Sequence, residues 1–126
     1  MKKLNITRKY DKNNRLIYEL KDVNELILKY DENGNEVYQK DWNIKSGEIW
    51  TEYIKEYDQN GNLIHFKDFE NNNEYWIEYD EYNRIKCQKW NTGEASIYEY
   101  DENGKIKRQL NENGIVEIEY SNNYID

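Results

Sequence analysis

One histidine and one cysteine stand in this chain, His65 and Cys87. Brought within hydrogen-bond reach, such a pair is a nucleophile with its base. The glutamates Glu56, Glu78, Glu99 and Glu119 offer a second chemistry, because paired carboxylates do acid–base work. A third lies in the word D-x-N-G-N, which sets Asp31, Asn33 and Asn35 at the first, third and fifth places of a calcium-loop pattern.

Each has a plainer reading. His65 and Cys87 both fall eight residues after a tyrosine of a repeated word, so they are neighbours in register at most. Tyr18, Tyr38 and Arg108 hold the same place in other copies, which assigns the place to the repeat. The glutamates recur once per copy, whereas catalysis needs one asymmetric pair. They read as a solvated face, some of them opposite Lys67, Lys89 or Lys107. The calcium pattern breaks at Glu36 and Trp42, where Gly and Glu are required, and the copy from Asp58 breaks at Leu63 and Phe69. A lone His and a lone Cys make no structural zinc site, and neither a phosphate-cradling glycine loop nor a serine elbow is present. The chain therefore reads as no enzyme, with no cofactor and no metal.

What positions these residues is the repeat. Its tyrosines are Tyr10, Tyr30, Tyr57, Tyr79 and Tyr100, with a decayed copy at Tyr120, about 21 residues apart. That spacing marks stacked supersecondary units, here one repeat domain over 1–126. The next residue is Asp11, Asp31, Asp58, Asp80 or Asp101, and three further on stands Asn14, Gly34, Gly61, Asn83 or Gly104. Asp caps a turn through its side chain, and Gly and Asn tolerate positive φ. These ten residues spell a type I turn closed by a left-handed residue, a common hairpin connection. Residues before each tyrosine alternate, as Leu26 and Leu28 do before Tyr30, and period two means strands. The tyrosine's face is the more apolar one. A second set of turns falls between the words, at 21–24, 43–47, 70–73, 91–93 and 111–114. The expected fold is all-β: an antiparallel β-meander of repeated hairpins, eleven or twelve strands of six to ten residues, in a single twisted or curled sheet.

The words YDKNNRL, YDENGNE, YDQNGNL, YDEYNRI and YDENGKI resemble the YD repeats of RHS-type proteins, whose usual form is Y-D-x-x-G-R-L. The resemblance runs from about Leu4 to Tyr120. GEIWTEYIKEYDQNGNL, from Gly47, is similar to MORN-like repeats as well. RHS repeats form β-strips that spiral into a shell around a toxin. Five copies fall short of a shell, and the Pro-rich motif that ends one is absent from a chain with no proline. What the resemblance implies is a continuous twisted meander and, at family level, an immunity or antitoxin-like member of a bacterial toxin system.

Composition limits the partners. Only 37% of the residues are apolar, and the net charge is -8, yet 15% are aromatic, which argues for a thin core of rings and against disorder. The charge disfavours nucleic acid and anionic membrane and favours a protein partner that is basic. One cysteine, and no apolar stretch after Met1, set an expectation of the cytoplasm. Open sheet edges make a homodimer an option. Three residues before each tyrosine runs a stripe, Thr7, Ile27, Ile54, Trp76, Ile97 and Glu117, expected with Trp50 on the face opposite the tyrosines. It is either covered by curling of the sheet, or it is a patch for a partner or for sugar rings. Trp50, Ile54, Trp76 and Ile97 are the candidate partner-binding residues. A non-catalytic protein-binding module is the leading expectation, and a carbohydrate-binding module using exposed aromatics is the alternative.

Overall fold

A computed structural model of the chain describes residues 3–125. Among them lie eleven strands and no helix: β1 (Ile6–Tyr10), β2 (Leu16–Lys21), β3 (Asn24–Tyr30), β4 (Glu36–Asn43), β5 (Ile49–Tyr57), β6 (Leu63–Asp68), β7 (Asn73–Tyr79), β8 (Ile85–Trp90), β9 (Ala95–Tyr100), β10 (Ile106–Leu110) and β11 (Val116–Glu119). The chain divides into two units, one ending at Asn73 and one beginning at Glu74. In the first, β1 to β6 lie side by side in sequence order; in the second, β7 to β11 do the same. Strands adjacent within each unit pair antiparallel. The all-β meander of hairpins expected from the repeat is the fold, with eleven strands. Three strands are shorter than the expected six to ten residues: β1 and β10 have five and β11 has four.

The five Tyr-Asp words build five copies of one turn. In each, the N–H of the Gly or Asn donates to the Asp carbonyl at 3.0–3.1 Å, closing the turn. That residue sits in the left-handed region, from φ 64° at Asn14 to φ 87° at Gly34. One Asp side-chain oxygen accepts two further N–H groups, two and four residues on, at 2.8–3.0 Å. Four backbone groups that a tight reversal would otherwise leave to solvent are thus fixed locally. Each hairpin then carries a bulge: Lys9 pairs with Tyr18 but Tyr10 with Leu16, and the same shift follows Lys29, Glu56, Glu78 and Glu99. Asn111 makes the same turn with its amide oxygen, with Leu110 in the tyrosine's place.

Within each unit the strands form one layer. Among the described residues only Cys87, 6% exposed, is fully withdrawn from solvent. Middle strands are half-buried along most of their length, while every residue of β1 and β11 is exposed.

Gly61 has φ 82°, and a Cβ built there meets nothing within 4 Å. Gly61→Ala therefore tests the backbone conformation free of any clash. It should destabilise the protein by about 1–2 kcal/mol in urea unfolding, and Gly61→Asn by clearly less.

Candidate functional site

On the tyrosine face, neighbouring words are tied together. The Tyr30 hydroxyl donates to the Leu16 carbonyl at 2.9 Å. The Arg15 guanidinium lies 4.9 Å from the Tyr30 ring centre, while its Nε holds the Asp11 carboxylate at 2.8 Å. Tyr100, Ile85, Arg84 and Asp80 repeat the arrangement, with Arg84 4.2 Å from the Tyr100 ring. Arginine at the end of one word thus covers the tyrosine of the next. Where Asn35 and Asn62 replace it, their amides reach back to Asp31 and Asp58. Lys105 replaces it in the last word, and there the chain's own tail intervenes. Tyr124 and Asn122 donate to the outer oxygen of Asp101, and Asn122 also donates to the Ile106 carbonyl at 2.8 Å, the position equivalent to Leu16 and Ile85.

These bonds hold the turn aspartates below their ordinary pKa. The Arg15 backbone N–H is the chief cause at Asp11, that of Asn35 at Asp31, that of Asn62 at Asp58, and the Tyr124 hydroxyl at Asp101. At Asp80 burial pushes upward, and the N–H groups of Arg84 and Tyr82 with the Arg84 side chain outweigh it. Each carboxylate oxygen that the calcium pattern would use already faces N–H donors.

The opposite face is organised by a second rule. The residue before each word's tyrosine lies directly across from the residue eight after it, and the two change together. Lys9 and Lys29 sit over the rings of Tyr18 and Tyr38, at 4.9 and 5.0 Å. Glu56 meets His65 at 2.8 Å, and Glu99 meets Arg108 at 3.0 Å. Glu78 faces Cys87 and binds Lys89 at 3.3 Å. His65 and Cys87 thus each have a glutamate across from them. Burial, then Glu78, raises the thiol pKa of Cys87, which opposes the thiolate a nucleophile needs. The glutamates form no carboxylate pair either.

Other carboxylates receive phenol and indole donors, a use not evident from composition. Tyr38 donates to Glu52 at 2.6 Å, and burial followed by this carboxylate raises its pKa to about 12. Glu25 accepts from Tyr18 and from the Trp42 indole, both at 2.9 Å, and Lys40 covers the Trp42 ring at 4.2 Å. Tyr53 donates to Glu36 and Gln39.

Of the four candidate residues, two come together. Trp76, 41% exposed, and Ile97 line a groove of about 360 Å³ in the second unit. Cys87, Lys89 and Ala95 line it too, with Glu94 and Glu112 among the remaining residues. Ile54 belongs to the first unit, half-buried across from Tyr38 and Lys67. Trp50 departs from the expected face. It is the extra residue of a bulge, between Thr51 opposite Asp41 and Ile49 opposite Trp42. The bulge breaks the alternation, and Trp50, 53% exposed, lines a depression with Glu19, Leu26 and Asp41, on the tyrosine face. The residues missed in sequence are Trp42, Glu25, Glu36 and Glu52; the joint exchange of Lys with Tyr and Glu with His or Arg would have given the register that finds their neighbours.

No protein-family model matches the chain, and no curated protein matches it. Solved structures do. The Photorhabdus luminescens Tc holotoxin pore superposes with TM-score 0.68 at 13% identity over 86% of this chain. The crystal structure of TcdB2-TccC3-TEV does so with 0.67 at 12%, and that of TcdB2-TccC3-Cdc42 with 0.64 at 18%, again over 86%. The match takes up only 5–7% of those chains, and at such identity it is a likeness of fold.

Tyr100→Phe and Arg84→Ala should each lower stability by roughly 1 kcal/mol, with a double-mutant coupling of roughly 0.5–1 kcal/mol, read from urea titrations. Because the folded-state pKa values of the turn aspartates lie below the unfolded 3.8, their contribution is complete above that value and is lost as pH falls through the lowered ones. Asp58→Asn, which keeps the turn as Asn111 does, should flatten the acid side of a melting-temperature profile.

Proposed function

We propose that this chain is a non-catalytic repeat module that binds a protein through the faces of its sheet. The observation that carries this reading is the single layer within each unit: one fully buried residue among those described, with Trp50 exposed in the first unit and Trp76 in the second. Apolar surface of this kind is what a partner covers, and tryptophan is favoured where binding energy concentrates. A net charge of -8 suits a basic partner and steers its approach. Likeness of fold to Tc toxin components, together with the Tyr-Asp words, supports a place among YD-repeat proteins of toxin systems. An immunity or antitoxin-like role in the cytoplasm is the form this reading takes. A second reading, binding of sugar rings against Trp76, draws on the groove of about 360 Å³ beside it.

Affinity capture with the full chain from its native host, wild type beside Trp76→Ala, tests the first reading. One dominant basic protein is expected, released by salt and bound about tenfold or more weakly by the variant. Recovery of nothing saturable, or equal recovery by the variant, counts against it. A glycan array separates the second reading: hits that vanish with Trp76→Ala support it, and a blank array removes it.

A further inference from the structure

The strand order of the first unit begins with β1, and that of the second ends with β11. β1 pairs with β2 and β11 with β10, so half of the backbone groups of each end strand point away from a partner. Both strands are exposed throughout. Sheets commonly guard such edges with charge, and here the two guards have opposite sign. β1 carries Arg8 and Lys9; β11 carries Glu117 and Glu119. Lys9 and Glu119 hold the same place, one residue before the tyrosine of a word. Exposed apolar residues accompany them, Ile6 and Tyr10 on one edge and Val116 and Ile118 on the other.

We propose that the chain associates with copies of itself head to tail, the β1 edge of one molecule pairing with the β11 edge of the next. The charges choose this contact over its rivals. Two β1 edges would set Arg8 and Lys9 against their like, and two β11 edges would do the same with Glu117 and Glu119; like charges placed opposite each other destabilise a strand pair. The remaining combination is heterologous, so each added copy presents a fresh β1 or β11 edge. It needs no surface of the protein-binding faces, and it stands or falls independently of that function.

Sedimentation equilibrium over a range of concentrations tests it, using the full chain and two charge-reversed variants. One is Arg8→Glu with Lys9→Glu; the other is Glu117→Lys with Glu119→Lys. Wild type should rise past the mass of a dimer at low salt and fall back at high salt. Each variant alone should stay monomeric, since both its edges then carry one sign. Their equimolar mixture should recover the association, which a misfolded variant would fail to do. A wild type that is monomeric throughout, a species that stops at a two-fold dimer, or variants that associate as wild type does would each overturn the proposal.

Discussion

The side-chain oxygen of each word's aspartate accepts two backbone N–H groups, and its carbonyl accepts a third. This fixes where the chain reverses, and the bulge that follows fixes the register of the next strand. Register in turn decides which side chains share a face, because a slip of one residue would exchange the faces. A sheet whose faces are both half exposed has little hydrophobic reason to prefer one register. The turn supplies what burial does not.

Side-chain contacts within the layer do the work a core does elsewhere. Cation–π contacts occur about once per 70–80 residues in ordinary proteins, so a chain of this size would hold about two. Eight are found among the described residues, six from Lys9, Arg15, Lys29, Lys40, Lys55 and Lys67 and two from Arg84. Tyrosine suits this role because its ring offers apolar area to an alkyl stem and a face to the charge, while its hydroxyl satisfies a carboxylate or carbonyl nearby. That explains how a sheet with thirteen tyrosines and a charge of -8 holds together with one buried cysteine.

The turns were legible in sequence because their chemistry is confined to six adjacent residues, as from Tyr30 to Asn35. Strand alternation was legible for the same reason, and so was the equivalence of His65 with Cys87. Trp50 was misplaced because a bulge in β5 leaves no mark in the alternation of its neighbours. The partners of Asp101 were invisible because Asn122 and Tyr124 come from the tail, more than twenty residues away. Of the candidate site, Trp76 and Ile97 could be set on one face from their places before two tyrosines, but the groove they line also needs Glu94 and Glu112 from turns whose direction period two does not give.

Two of the words show both halves of a connection: Tyr30 and Tyr100 reach back to the carbonyls of Leu16 and Ile85 in the preceding word, and Arg15 and Arg84 of that word cover their rings. Stability in such an array is a sum over neighbours. Duplicating one stretch of about 21 residues would then lengthen the sheet with no second change elsewhere, because the new copy brings its own donor and its own acceptor. Array length becomes a quantity that a single recombination event can alter, and selection can adjust reach without disturbing the fold.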